Sequence, residues 1–193
     1  DGINFANSTV RGALSATATT GNITQGGALN ILGATTLVTT GQGATIDLTT
    51  TTNAFTGELL ITTNDNNTPA DGTYAAHASI DGGTTNLIIG TSTIDGNLTL
   101  LSGGTITDTA SSTVTVKGDL NVTTDANNSN ITLDGLEVGG AYILDPHGTG
   151  VVTIVNAAGI DFEAMTVDGA LSATATTGNI TQSGALTITG TTT

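Results

Sequence analysis

Fourteen residues occur twice in this chain without a single change. The stretch GALSATATTGNITQ runs from Gly12 to Gln25 and again from Gly169 to Gln182, 157 positions later. At the same offset, residues 1–36 match residues 158–193 at 26 of 36 positions without a gap. A catalytic site needs one copy of each reacting group, whereas a chain that stacks on copies of itself repeats its sequence. We therefore predict one full repeat at residues 1–157 and the start of the next at 158–193.

A shorter spacing recurs inside the 157-residue unit. Gly12 and Gly33, Gly96 and Gly118, and Leu14 and Leu37 are separated by nearly the same interval, about 22 residues. Periods of about 20 to 50 residues are typical of solenoids, in which each turn buries its apolar face against neighbouring turns. Division of the 157-residue unit by this interval predicts about seven coils per repeat.

Apolar and polar residues alternate along short segments of the chain, as in β-strands with one buried face. The clearest segments are Thr113–Gly118, Asp119–Thr124, Asn130–Val138 and Ala185–Gly190. Between such segments stand Asp-Gly dipeptides, including Asp134-Gly135, which favour tight turns. The alternation predicts a core that includes Val114, Val116, Leu120, Val122, Ile131 and Leu133.

About three short strands in each short period predict an all-β fold, a right-handed parallel β-helix with open ends. A narrow interior of this kind leaves little room for Trp or Tyr, in agreement with an aromatic content of 3%. A β-sandwich is the alternative, but it does not explain the short period. Disorder is disfavoured because 37% of the residues are hydrophobic and they alternate.

The charge balance excludes several classes of partner. The sequence has sixteen acidic residues and only two cationic ones, Arg11 and Lys117, which gives a formal net charge of −14. Binding of nucleic acid or of an anionic membrane surface needs clustered cations, so neither is expected. No apolar run approaches the roughly 18 residues that a membrane-spanning helix needs, so we expect no membrane insertion. The absence of cysteine excludes disulfides and thiolate metal sites.

The segment Asn64–Gly72, NDNNTPADG, collects oxygen donors suited to a hard cation. It also interrupts the coil pattern, so we expect it to project from the solenoid. It does not have the spacing of an EF-hand, and a solvated turn is the simpler interpretation. If a cofactor is present, we expect Ca²⁺ held by Asp65, Asn67 and Asp71, with a contact surface at Asn64, Asn66 and Thr68.

No catalytic constellation is evident. His147 follows Asp145 closely, but no Ser or Thr is marked out as a nucleophile among 44 threonines. The acids are scattered along the chain, and six of the sixteen stand in Asp-Gly dipeptides, so the sequence predicts that the protein is not an enzyme. Thr-x-Thr pairs, which could bind ice if regularly spaced, recur irregularly.

Several stretches resemble the β-strand repeats of filamentous haemagglutinin-type adhesins, which are bacterial surface proteins often exported by the two-partner route. The stretches are GNITQGGALNILGATTLVTT, GNITQSGALTITGTTT and GNLTLLSGGTITDTASSTVTV. The resemblance implies a right-handed β-helical shaft located outside the cell, at the surface or in a biofilm matrix. It also implies attachment to surface glycans or other cells, without naming a ligand.

These observations together predict a structural, non-catalytic shaft of an extracellular fibrous adhesin or matrix filament. The alternatives are a Ca²⁺-dependent carbohydrate-binding or ice-binding β-helix and, least favoured, a polysaccharide lyase. No capping pattern is visible at either end of the sequence, so we expect copies to associate end to end. A continuation after Thr193 would be expected to resemble Leu37–Thr50.

Overall fold

Short alternating segments separated by turns give short strands, and the computed structural model describes them for residues 1–65 and 74–193. No helix long and apolar enough to cross a membrane occurs in these two ranges. The strands are β1 (Ile3–Phe5), β2 (Ser8–Val10), β3 (Leu14–Ala18), β4 (Ile23–Gln25), β5 (Leu29–Ile31), β6 (Thr35–Thr39), β7 (Ile46–Leu48), β8 (Ala54–Phe55), β9 (Leu59–Thr62), β10 (Ala78–Asp81), β11 (Leu87–Ile89), β12 (Ser92–Ile94), β13 (Leu98–Ser102), β14 (Ile106–Asp108), β15 (Val114–Val116), β16 (Leu120–Thr124), β17 (Ile131–Val138), β18 (Tyr142–Pro146), β19 (Val152–Asn156), β20 (Ile160–Phe162), β21 (Met165–Val167), β22 (Leu171–Ala175), β23 (Ile180–Gln182) and β24 (Leu186–Ile188).

The first strand of every turn joins one continuous sheet. Its nine strands follow the order β1-β4-β7-β10-β13-β16-β18-β20-β23, and the pairs along it are parallel. The chain is therefore a parallel β-solenoid of about eight turns, which confirms the predicted fold. Strand β20 lies seven steps beyond β1, and its first residue, Ile160, is the repeat equivalent of Ile3. The 157-residue offset therefore spans seven turns.

The remaining strands form the other faces. A ten-stranded sheet contains β3, β6, β9, β11, β12, β14, β15, β17, β19 and β22, while β2-β5-β8 and β21-β24 form two smaller sheets. Strand β17 pairs with β14 through Ile131 and with β15 through Leu136. The prediction of a turn at Asp134-Gly135 is wrong, because these residues lie inside β17 at an irregularity between Leu133 and Leu136.

The register confirms the short period while correcting one spacing. Ile3 pairs with Ile23, and Leu98 pairs with Leu120. Leu37, however, does not pair with Leu14. Leu14 pairs with Thr35, and Leu37 pairs with Ala16, so the interval from Leu14 to Leu37 is not a register of the coil.

The core is a single column of apolar side chains inside the coil. All six core residues named from the alternation are buried, and each fully buried Val, Leu or Ile contributes about 1.5–3 kcal/mol relative to an exposed one. The expectation that the interior leaves little room for tyrosine is wrong for Tyr142. Tyr142 and Phe55 are fully buried, and the ring centroid of Tyr142 lies 6.2 Å from that of Phe162.

Glycines stack at one corner of the coil, where the backbones of successive turns touch. The amide of Gly118 donates to the carbonyl of Gly96, and the amide of Gly140 donates to that of Gly118, both at 3.0 Å. A Cβ atom on Gly140 would lie 2.5 Å from the carbonyl carbon of Gly118. A larger residue would meet the backbone of the preceding turn, so glycine permits the close approach of the turns at this corner.

Candidate functional site

One turn of the solenoid is much longer than the others. The step from Ile46 to its partner Ala78 is more than half as long again as the step from Ala78 to its partner Leu98. The extra residues fall between β9 and β10, in the part of the chain where the sequence pattern is interrupted. This turn therefore departs from the regular coil.

The two ends of the extra segment are held together by buried polar contacts that we call the neck, formed by Thr63, Asp65, Ala75, Ala76 and Asp95. The hydroxyl of Thr63 donates to the carbonyl of Ala76 at 2.7 Å and accepts the amide of Asp95 at 3.0 Å. The amide of Asp65 donates to Asp95 Oδ2 at 3.0 Å, and Asp65 Oδ2 accepts the amide of Ala75 at 2.9 Å. Because Thr63, Asp65 and Asp95 are buried, these bonds are shielded from water.

A lysine completes the neck from the next turn. Lys117 Nζ lies 2.8 Å from Asp95 Oδ1, and the lysine side chain remains 44% exposed. Asp95 thus joins the amide of Asp65 to one of the two cationic side chains of the protein. The charge of Lys117 offsets the cost of burying the carboxylate of Asp95.

Of the residues predicted to bind Ca²⁺ or to form a contact surface, Asn64 and Asp65 lie within the described ranges. Asp65 belongs to the neck, and Asn64 Nδ2 donates to the carbonyl of Thr40 in the preceding turn at 2.9 Å. Within the described ranges, no group of three or more His, Asp and Glu residues could hold a metal ion. The Ca²⁺ site stays a prediction, because the other named residues lie outside the described ranges: Asn66, Asn67, Thr68 and Asp71.

Three polar side chains form a column beside the neck, each accepting a backbone amide from the following turn. His77 Nδ1 accepts the amide of Asn97 at 2.9 Å, and Asn97 Oδ1 accepts that of Asp119 at 3.0 Å. Asp119 Oδ1 accepts the amide of Ala141 at 2.9 Å. Because Nδ1 of His77 is an acceptor, the ring hydrogen is on Nε2.

Three adjoining depressions lie along this corner, and we call them together the corner groove. Their volumes are about 620, 300 and 280 Å³, and all three are lined by Gly139. The largest is lined by Tyr74, Ala75, His77, Asn97, Lys117, Gly118, Asp119, Gly139 and Gly140. Ala75 of the neck, Lys117 and the three side chains of the polar column therefore line one surface.

A second buried polar group serves the structure of another corner. Asn53 exchanges two hydrogen bonds with Gln25, at 2.8 and 2.9 Å, and donates to the carbonyl of Asp81 at 3.0 Å. Burial raises the pKa of Asp81, its bond from the Gly83 amide lowers it, and the charge of Asp125 raises it further. The group ties successive turns together at this corner.

His147 and Asp145, the pair considered for catalysis, are both exposed. The backbone of His147 binds Thr124 Oγ1 and the amide of Asn128, which anchors the turn. The sequence did not predict that Tyr74, Lys117 and Asp119 lie beside one another at this corner of the solenoid. Only the short period of the coil could have indicated them, since it places residues 75–77, 97 and 117–119 at one corner.

Comparison with known proteins gives a family but no activity. The chain matches the model of a family described as "Repeats of unknown function (DUF5649)" over residues 1–62, 75–144 and 149–193. Searches of curated proteins and of solved structures found no match. Since the matched segments cover most of the sequence, the chain belongs to the DUF5649 family of repeats.

Proposed function

We propose that this chain is a non-catalytic segment of a rigid fibre, the shaft of an extracellular adhesin or matrix filament. One observation carries the proposal: the 157-residue offset spans seven complete turns. A repeat that ends on a whole number of turns lets the next repeat continue the same sheets in register. Such a unit can be added again and again without a joint.

The interior supports the same role. The buried side chains form one cluster along the described length of the coil, and strands of successive turns are joined by parallel ladders. At about 4.8 Å per turn, seven turns add roughly 34 Å of length per repeat. With a net charge of −14, neighbouring fibres repel one another and stay dispersed.

Location outside the cell and the adhesin role follow from the resemblance to haemagglutinin-type repeats and are part of the proposal. Long surface fibres need a shaft that holds a contact point away from the cell. Neighbouring repeats, or copies joined end to end, are the expected partners along the axis.

The test is the growth of molecular length with repeat number. Residues 37–193 make up one full repeat length, so one, two or three further copies can be appended after Thr193 in register. We expect each copy to lengthen the particle by about 34 Å at constant width in small-angle scattering and electron microscopy. A control series whose units carry about 11 additional residues, half a turn, should lose this regular growth. Particles of the in-register series that widen instead of lengthening would contradict the shaft.

A further inference from the structure

The corner groove is continuous along the axis of the solenoid. Its largest part shares Tyr74, Lys117 and Gly139 with the part of about 300 Å³, and it shares Gly139 and Gly140 with the part of about 280 Å³. The lining extends from His77, just before β10, to Asn179, just before β23. Strands β10 and β23 are five steps apart in the nine-stranded sheet, so the groove is roughly 24 Å long.

A groove of this shape suits an extended polymer that lies across several turns. It is open and shallow, unlike the closed pocket that encloses most of a small cofactor. Its walls repeat once per turn, so similar backbone surfaces recur along its length. A linear chain of similar units therefore meets a similar backbone surface at each turn, while the lining side chains differ.

The lining side chains have the chemistry of glycan recognition. The half-buried Tyr74 lines two of the three parts, and a tyrosine offers an apolar ring together with a polar hydroxyl. Lys117 and His77 are nitrogen-bearing groups that can donate to sugar hydroxyls, while Asp119, Glu137 and Asp161 can accept from them. Thr115 and Thr181 add hydroxyl groups along the walls.

The charges favour a neutral glycan over an acidic one. The positive charge of Lys117 is matched by Asp95 at 2.8 Å, and the groove carries three further carboxylates. The protein as a whole has a net charge of −14. An acidic polysaccharide would be repelled both by the carboxylates of the groove and by the net negative charge of the protein.

From this geometry we propose that the corner groove binds a neutral linear polysaccharide laid along the solenoid axis, with Tyr74 as the ring that packs on a sugar. This site goes beyond the shaft role and stands independently of it, because it depends only on the groove lining between Tyr74 and Thr181.

Titration of the whole chain with hexasaccharides tests the proposal. The protein has two tyrosines and no tryptophan, so a Tyr142→Phe background leaves Tyr74 as its only tyrosine fluorophore. Cellohexaose, chitohexaose, xylohexaose and mannohexaose serve as neutral probes, and hexagalacturonate serves as the acidic probe. We expect saturable fluorescence changes and calorimetric heats with at least one neutral probe, with a Kd below about 1 mM.

Two groove variants and one remote control locate the binding. Tyr74→Ala should weaken binding about tenfold or more, while Tyr74→Phe should keep it within about threefold. Gly139→Gln places a neutral side chain where the three depressions meet, and it should also weaken binding at least about tenfold. Gly139 has no left-handed φ, and a Cβ atom there would lie 3.1 Å from the carbonyl oxygen of Lys117, so a side chain requires that carbonyl to shift by a few tenths of an ångström. The control is Val151→Gln at an exposed position before β19, which should bind like the parent.

Circular dichroism and thermal melting establish that each variant is folded before binding is compared. Three results would overturn the proposal. The first is the absence of binding to every neutral probe up to about 5 mM. The second is unchanged binding in both Tyr74→Ala and Gly139→Gln, and the third is tighter binding of hexagalacturonate than of every neutral probe.

Discussion

Ile23 and Ile180 occupy the same position in the two identical stretches, yet Ile23 is fully buried and Ile180 is 51% exposed. Ile23 pairs with Ile3 on one side and Ile46 on the other. Ile180 pairs with Ile160, and no described strand pairs with its other side. Since the local sequence is the same, the difference in burial comes from the turn that covers Ile23.

This comparison predicts the effect of extending the chain. Appending the sequence of residues 37–62 after Thr193 should supply the same cover and bury Ile180. Ile180 is already half-buried, so covering the rest of its side chain contributes about 0.8–1.5 kcal/mol, and the melting temperature should rise. Hydrogen exchange at residues 180–188 should slow by at least about tenfold. An extension of the same composition in scrambled order is the control, and equal protection by both extensions would refute the argument.

The register predicts which deletions the fold tolerates. Leu98 pairs with Leu120, and Leu120 pairs with Tyr142, so removal of residues 120–141 takes out one complete turn and brings Tyr142 onto Leu98. The shortened protein should unfold cooperatively, with a small loss of stability, because each turn contacts only its neighbours. Removal of residues 120–130 alone is half a turn, and it should abolish folding because β17 loses its register. Circular dichroism and urea unfolding distinguish the two outcomes.

Tyr142 predicts a stabilising substitution. Its buried hydroxyl meets no hydrogen-bond partner among the described residues, while its ring packs near Phe162. Tyr142→Phe keeps the ring and removes the unpaired group, so we expect a gain of about 1–3 kcal/mol in urea unfolding. A loss of stability at neutral pH in this variant would show that the hydroxyl has a partner.

The same residue predicts a dependence on alkaline pH. Burial raises the pKa of Tyr142 above that of an exposed tyrosine, so above pH 10.0 the unfolded state loses the proton first. Stability should therefore fall as the pH rises above that value, by about 1.4 kcal/mol per pH unit. Tyr142→Phe should lack this part of the fall, and parallel curves for both proteins would contradict the assignment.

The neck predicts a contrast between two substitutions of one residue. Asp65→Ala removes the acceptor of the Ala75 amide, and it should cost about 1–3 kcal/mol in urea unfolding. Asp65→Asn keeps an amide oxygen at that place and should cost less. Asp134→Ala, at an exposed position, is the matched control and should be near neutral. Equal losses for the two changes at Asp65 would assign the effect to charge instead of the hydrogen bond.

The predicted Ca²⁺ site has its own calorimetric test. If Asp65, Asn67 and Asp71 bind the ion, the protein should give a saturable heat with Ca²⁺. Asp71→Asn should remove that heat, because it takes away one of the three proposed oxygen ligands of the ion. Absence of a heat in the parent protein at millimolar Ca²⁺ would refute the site.

The fold follows from signals that are local or regular, whereas the candidate site does not. Alternation in segments such as Thr113–Gly118 fixes which side chains face inward, and the 157-residue offset requires stacking. The groove depends on which residues of different turns meet, and the turns differ in length. Leu98 lies closer in sequence to its partner Ala78 than to its partner Leu120, so successive turns have different lengths. A single fixed period therefore does not predict which residues of distant turns are neighbours.

Local residue preferences fail where tertiary packing decides. Asp134-Gly135 has the composition of a turn, but it lies inside the long strand β17. This strand pairs with β14 before the dipeptide and with β15 after it, and the dipeptide forms an irregularity between the two pairings. Tyr142 is too large for a narrow coil on average. It is nevertheless accommodated where the ring of Phe162 lies in a neighbouring turn.

The parallel ladders between turns also determine how the molecule responds to a pulling force. Hydrogen bonds that join strands of successive turns point along the axis of the solenoid. Tension along this axis therefore acts on the hydrogen bonds of one turn at a time, so the turns separate one after another and many bonds are not sheared together. Each released turn of about 20 residues adds roughly 70 Å of extended chain. We therefore expect a solenoid of this kind to lengthen under tension in discrete steps, one for each released turn.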